Sequence, residues 1–437
     1  MISIKLVEIL LVWVTLQDFV LSFFYSIGVN ALLVKILLYC KDIVFALLIC
    51  VSIINELKKK EPTQSILFFV AYLLIWAFFS FLESKDLSNV YTSFRGVLLL
   101  PGCILIGRNL PQKRSFSLFL KRYFSSFLFV VALLGILDYV LDITCGTAFF
   151  WKNVLKVGDF FTDIKSQSNR LVDGLPGNFY GSYGKEYFSQ KRLVSLWISP
   201  LTAAYSLVFP TIYYWFALLS KRKMSIKNNI KIIIRVMTFT VATILTLTRA
   251  IIIPLILVLV ILLYKKKPSV RIPLIFVSIF SLFIFCFIFK DKIISFLYDG
   301  STVGHINAIS ESISVVSPFG SGFGSVGVYS DVGTESAYLS VFGQIGLLGF
   351  AFYVYILFSI IMKLKNLSKK SKNNYFLIPI IISLAIFALT GFISEQLLAF
   401  TTAFPIMVLS GYYSTNRELS KTQICNNSSI IFKPIKS

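Results

Sequence analysis

A single histidine, His305, serves the whole chain, and acids are scarce: 20 Asp and Glu against 42 Lys and Arg. The six cysteines are scattered, with no metal-ligand spacing and no pattern of a disulfide framework. Cys40, Cys50, Cys103 and Cys286 fall within apolar runs, and Cys145 stands by itself in a connecting loop. No small-residue cleavage site ends the first apolar run, which holds Lys5, Glu8 and Asp18, so it does not read as a cleavable signal peptide. No internal repeat, coiled coil or soluble terminal domain is evident, and the tail from Asn416 is too short to fold alone.

What is present is hydrocarbon. Hydrophobic residues make up 57% of the 437 residues and charged ones 14%, a balance that excludes a set of soluble domains and identifies a polytopic membrane protein. The expected fold class is all-α, a single transmembrane domain over residues 1–437, because backbone groups in lipid must pair within their own segment. About twelve spans of bilayer length are expected, near 5–25, 33–55, 64–82, 91–107, 119–140, 196–219, 230–247, 250–265, 271–290, 336–363, 375–393 and 397–414. The formal charge of +22 would suggest nucleic acid, but the bases sit in short clusters between apolar runs. Lys58–Lys60, Arg108–Arg122, Lys221–Lys223, Lys265–Lys267, Lys363–Lys372 and the tail with Arg417 and Lys421 fall on one side if spans alternate. That side is expected to be cytoplasmic, with both termini, and the charge sets topology with no nucleic-acid partner. Two long external loops follow, at 141–195 and 291–335.

Basic residues at the external face escape the positive-inside bias and are informative. Lys41, beside Asp42, lies about two turns into span two, and Arg95 is just inside span four. Arg192 precedes span six, and Arg249 occupies the tight turn Leu247-Thr248-Arg249-Ala250 between spans seven and eight. Each can bind an anionic group, since the arginine fork matches phosphate oxygens, or can snorkel to lipid headgroups. For Arg249 the functional reading is preferred, because a hairpin tip has no structural need of arginine. Lys41 and Asp42 are expected to neutralise each other.

In the first loop, Gly174, Gly177, Gly181 and Gly184 interleave with Phe179, Tyr180, Tyr183 and Tyr187. This is either an aromatic platform for sugar rings or a flexible loop on the membrane surface. In the second loop, Ile306, Ile309, Ile313 and Val316 predict a short amphipathic helix beginning at His305. His305 is either solvated or a base with a pKa near ambient pH. The cluster Pro318-Phe319-Gly320-Ser321-Gly322-Phe323-Gly324 is a helix breaker and hinge, or an anion cradle of backbone N–H groups. Glu335 is expected in the first turn of the next span with Thr334 as its N-cap, where it suits a structural role or that of a general base.

These parts together resemble the Wzy-type O-antigen polymerases, within the wider group that includes the O-antigen ligases. The likeness is carried by Arg192-Leu193-Val194-Ser195-Leu196-Trp197-Ile198-Ser199-Pro200, by the Thr248-Arg249-Ala250 turn, and by His305 to Gly349 with its glycine turn, Glu335-Ser336-Ala337-Tyr338-Leu339 and Gly346-Leu347-Leu348-Gly349. The resemblance implies a bacterial inner-membrane glycosyltransferase that joins oligosaccharide units carried on undecaprenyl diphosphate. It implies that Arg249, Arg192 and Arg95 hold diphosphate without a metal or other cofactor, and that Glu335 or His305 takes the acceptor proton. Tyr180, Tyr183 and Tyr338 are the weaker glycan-binding candidates. A flippase and a chain-length regulator are the implied protein partners. Ligases of the group carry histidine directly before the span after the second loop; here that position is Glu335, which favours a polymerase. A transporter, the rival of a different class, should place charges and broken helices near the bilayer midplane.

Overall fold

The structure, a computed structural model, describes residues 2–59, 63–83, 86–145, 149–165, 171–172, 174–180, 191–220, 226–266, 300–327, 333–370 and 376–415. It is an all-α bundle: α1 Ile4–Ser26, α2 Ala31–Leu57, α3 Gln64–Glu83, α4 Leu87–Asn109, α5 Arg114–Arg122, α6 Leu128–Cys145, α7 Val157–Asp163, α8 Pro200–Leu219, α9 Ile226–Leu245, α10 Arg249–Lys266, α11 Gly300–Val315, α12 Ala337–Lys370, α13 Leu377–Thr390 and α14 Phe400–Ser414. A wider π turn, Tyr123–Phe127, makes α5 and α6 one continuous element. Among the described residues, eight helices are long and apolar enough to cross a membrane (α1 to α4, the joined α5–α6, α8, α9 and α12), and α10 and α13 are shorter apolar helices. The chain is therefore a multi-pass membrane protein. The expected span at 271–290 lies outside the described residues.

Helix starts follow local chemistry. Asn30 Oδ1 accepts from Leu32 N (2.8 Å), and Asp86 Oδ1 from Ser88 N (3.0 Å) and Asn89 N (3.2 Å). Ser199 caps α8 through Thr202 N (3.3 Å), with Pro200 at the first helical position. Span six thus begins at Pro200 and not at 196, because Ser195 (φ 51°) and Ile198 (φ 49°) hold a left-handed backbone that breaks the helix.

The centre of the bundle is the pair α4 and α14; α14 is almost wholly buried, and so is α4 between Gly96 and Gly107. Between membrane helices the driving force is close packing, so small residues let backbones meet. A Cβ on Gly107 would lie 2.3 Å from Val408 O, and one on Gly411 2.5 Å from Ile104 O. At the same end of the bundle Glu56, fully buried, accepts from Lys59 Nζ (2.5 Å), Arg108 Nη2 (3.3 Å), Asn109 Nδ2 (2.9 Å), Thr63 N (3.1 Å) and Thr63 Oγ1 (2.9 Å). Gln112 Nε2 donates to Tyr412 O (3.3 Å) and Thr415 Oγ1 (3.2 Å). The bases around 58 and 108 and the end of α14 therefore share one end, the Glu56 end.

Gly107→Ala has no space against backbone and should cost about 1–3 kcal/mol, read as a lowered Tm of the detergent-solubilised protein. Gly333→Ala, whose added Cβ meets nothing within 4 Å, is the silent control. Glu56→Ala leaves Arg108 buried without its carboxylate and should cost about 3–5 kcal/mol, seen in the same melt as a larger fall in Tm than Glu56→Gln produces.

Candidate functional site

The opposite end gathers most of the residues singled out in sequence. Its clearest feature is Arg192. The guanidinium Nε donates to Thr246 O (2.7 Å), Nη2 to Thr248 Oγ1 (2.8 Å) and Nη1 to Asn178 O (3.4 Å). Its backbone N–H donates to Phe179 O (2.7 Å), and Leu193 N to Leu245 O (2.9 Å). Arg192 thus clasps the turn between α9 and α10, whose tip holds Leu247 at φ 51°, a conformation a branched side chain keeps only when its surroundings impose it. Arg249 follows immediately, exposed, as the first residue of α10. Two segments 54 residues apart, read separately in sequence, are one unit.

Arg95 Nη1 lies 3.0 Å from Asp42 Oδ2, with Asp42 almost fully buried. This corrects the expectation that Lys41 neutralises Asp42. Adjacent helical residues point about 100° apart, so Asp42 reaches α4 while buried Lys41 donates to Leu38 O (2.8 Å) on its own helix. Asp18, Lys165 and Arg95 complete the charged surroundings of Lys41. Lys165 Nζ pairs with Asp18 Oδ2 at 2.8 Å, so charges from α1, α2, α4 and the first loop meet here.

The described part of that first loop is packed, not loose. Trp151, Leu155, Phe160, Leu175 and Phe179 form a small core with Leu21, Val34 and Leu38. Lys191 Nζ bridges Asp138 Oδ2 (3.2 Å) and Asp142 Oδ2 (3.4 Å), and Trp151 Nε1 donates to Asp138 Oδ1 (2.9 Å). A two-strand hairpin, Leu171–Val172 with Leu175–Pro176, turns at Gly174. Phe179 is buried in this core and offers no platform to a sugar. Tyr180 is half-buried and bridged to Lys191. Tyr183 and Tyr187 lie outside the described residues.

The glycine cluster is neither a free hinge nor an anion cradle. Helix α12 is broken at Gly346 (φ 71°), and the cluster fills the break. Ser321 N donates to Gly343 O (2.8 Å), Gly322 N to Gln344 O (3.1 Å), and Leu347 N to Pro318 O (2.8 Å). From α3, Tyr72 OH donates to Ile345 O (2.8 Å) and Trp76 Nε1 to Gln344 O (2.7 Å), while Ser80 Oγ accepts from Phe323 N (2.9 Å). The N–H groups of Phe319, Gly320, Ser321, Gly322 and Phe323 are spent on protein. Gly320 and Gly346 approach so closely that a Cβ on either would lie 2.6 Å from the other segment's backbone.

The helix predicted from His305 is α11, Gly300–Val315, which starts earlier than expected; its described buried residue is Ser312, and Ile313 of the predicted apolar face is exposed. His305 lies in its second turn, and its side chain falls outside the description. Ser336, not Thr334, caps α12: Ser336 Oγ accepts from Leu339 N (3.3 Å), whereas Thr334 Oγ1 reaches only Ser336 N (3.2 Å). Glu335 therefore precedes the helix and is exposed. Tyr338 is a packing residue, its hydroxyl donating to Ala388 O (2.7 Å) and its ring 4.6 Å from Phe392.

Sequence reading overlooked Glu395, half-buried in the short Glu395–Leu397 turn between α13 and α14. The signal was available: it is the only charged residue between 377 and 415. It also overlooked Asp138 and Asp18 as partners of external bases. Among the described residues, no three His, Cys, Asp or Glu side chains are grouped as a metal ion requires. Beside the paired Asp18, Asp42, Asp138 and Asp142, the end combines arginines, the exposed Glu335, the half-buried Glu395 and hydroxyls at three helix starts, a set suited to holding an anion beside a proton acceptor. Comparison with protein-family models, curated proteins and solved structures finds no match to this chain.

Arg192→Lys keeps the charge but cannot make the fork. It should lower Tm measurably, by about 1–3 kcal/mol for the lost charged hydrogen bonds, whereas Arg249→Ala, at an exposed position, should leave the melt nearly unchanged.

Proposed function

We propose that the chain is a polysaccharide polymerase of the external membrane leaflet. It would join oligosaccharide repeat units carried on undecaprenyl diphosphate into an O-antigen or related surface glycan. The Glu56 end, with its basic clusters, is then cytoplasmic, and the Arg192 end faces outward in the bacterial inner membrane. The observation that carries the reading is the clasp of Arg192 on the Thr246–Thr248 turn, which fixes Arg249 at the mouth of α10. The two arginine motifs of the family resemblance are one structural unit, with the second loop's α12 start at the same end.

In this reaction the growing chain on its lipid diphosphate is the donor and a lipid-linked unit is the acceptor. An acceptor hydroxyl attacks the anomeric carbon, the bond from that carbon to the diphosphate oxygen breaks, and the oxygen leaves with the electron pair. Arg249 stabilises the charge that develops there. Arg192 contributes field and position, its fork being engaged by the turn. Arg95, paired with Asp42, is the weaker diphosphate ligand of the three. Glu335 and His305 remain proposed proton acceptors, and ligation to a lipid acceptor is the nearest variant of the same chemistry.

One observation favours transport of lipid-linked sugar as a second reading: α12 is a broken helix, as in many transporters. Against it, the backbone groups freed at Gly346 are bonded by the glycine cluster and α3, and the buried ion pairs lie elsewhere.

Deletion of the gene and complementation with wild type or Arg249→Ala separates these readings. A polymerase gives surface glycan capped by one repeat unit, without the long ladder, in the deletion and in Arg249→Ala alike. Loss of all surface glycan, single unit included, contradicts polymerisation and favours a ligase or transporter.

A further inference from the structure

Arg235 lies deep in α9. The apolar span of that helix runs from Asn228 to Leu245, which puts Arg235 about 10 Å along it from the Asn228 end. Leu245 is bonded to Leu193 at the Arg192 end, so Asn228 is at the Glu56 end. An arginine at such a depth in hydrocarbon is costly unless something answers its charge.

No carboxylate of the surrounding helices does. Helix α9 packs against α6 and α8, and the chain holds no Asp or Glu from Leu87 to Leu137 or from Tyr187 to Lys290. What Arg235 meets is one neutral hydroxyl and two rings. Its Nη1 donates to Tyr214 Oη of α8 (3.0 Å), and its guanidinium carbon lies 5.5 Å from the centre of the Tyr214 ring and 6.0 Å from that of Phe129 on α6. Tyr214 is a fixed support, buried and stacked on Phe239 with ring centres 5.6 Å apart. Arg235 itself is only half-buried, so part of its fork stays open between α6 and α9.

The surroundings of this opening select its ligand. Lys231, exposed, follows one turn nearer the Asn228 end on the same side of α9. Beside the two bases, Ile234 and Met237 of α9 and Val130 of α6 are exposed and apolar. The complement is an anion joined to hydrocarbon, and the arginine fork matches phosphate oxygens. A zwitterionic headgroup fits less well, since its ammonium finds no carboxylate on these helices.

We propose that Arg235, supported by Tyr214 and joined by Lys231, forms a binding site between α6, α8 and α9 for an anionic phospholipid of the leaflet at the Glu56 end. Arg235 holds the phosphate, and the acyl chains lie along the exposed apolar faces of α6 and α9. The site is separate from the arginines at the other end and does not depend on the glycosyl-transfer reading.

The test measures Tm of the full chain in detergent against increasing dioctanoyl phosphatidylglycerol, dioctanoyl phosphatidylcholine or inorganic phosphate. A ligand that binds the folded state raises Tm with its concentration. The wild type should respond to phosphatidylglycerol more strongly than to phosphatidylcholine, and not to inorganic phosphate. Arg235→Ala should raise the phosphatidylglycerol concentration for half the effect about tenfold, as one lost charged hydrogen bond implies. Lys231→Ala, at an exposed position, should raise it about fivefold, and it decides the matter if Arg235→Ala does not fold. Lys113→Ala, an exposed base at the same end, should leave it unchanged. Equal response to the two lipids, a wild-type response in folded Arg235→Ala (or in Lys231→Ala where that variant decides), or an equal loss in Lys113→Ala overturns the proposal. A rise in Tm with inorganic phosphate that matches the lipid's assigns the site to a free anion and also overturns it.

Discussion

Every backbone N–H and C=O placed at membrane depth must find a partner within the protein, and this constraint explains the least regular part of the structure. Helix α12 stops and restarts at Gly346, freeing carbonyls from Gly343 to Ile345. The second loop returns to the bundle to meet them, with Gly320, Gly322 and Gly324 at φ 82°, 87° and 87°, a backbone that other residues rarely adopt. Side chains of α3 complete the set. The glycine-rich stretch is thus a backbone partner for a broken helix. Once it is docked, the start of α12, the end of α13 and the Glu395 turn are held together at one end of the bundle.

The same constraint organises the charges. Those buried in the described bundle are paired or bonded: Asp42 with Arg95, Lys191 with Asp138 and Asp142, Glu56 with Lys59 and Arg108. Glu56 makes its pairs near the end of α2 and Asp138 and Asp142 near the end of α6, while Asp42 and Arg95 join α2 to α4 well inside both helices, where a lone ion would be costly. Arg192 differs in kind. Its described partners are carbonyls and a hydroxyl, and through them it locks a loop to a helical turn.

Much of the fold was legible because lipid simplifies it. Run length marked the spans, and the basic clusters at 58 and 108 do share an end with the close of α14. The helix after Gly300 was legible from isoleucine spacing, though not which of its faces is buried. Tertiary choices were not. Whether Asp42 would pair with its neighbour or with a residue 53 positions away depends on side-chain direction, not on sequence distance. Ser336 and Thr334 are equally good caps on paper, and the register of α12 decides between them. The break at Gly346 was hidden because Gly346-Leu347-Leu348-Gly349 reads equally well as continuous membrane helix. Glu395 was hidden for a different reason: it lies in a short connection, Glu395–Leu397, and belongs to no motif.

The proposed reaction is glycosyl transfer with release of a lipid diphosphate at the Arg192 end. The direct measurement takes the purified chain in lipid nanodiscs with an undecaprenyl-diphosphate-linked repeat unit and follows both glycan length and free undecaprenyl diphosphate. The account predicts a ladder of products, with one lipid diphosphate released for each bond formed, and neither from Arg249→Ala. Unchanged repeat units with no lipid diphosphate released, from protein that folds as wild type, would contradict it.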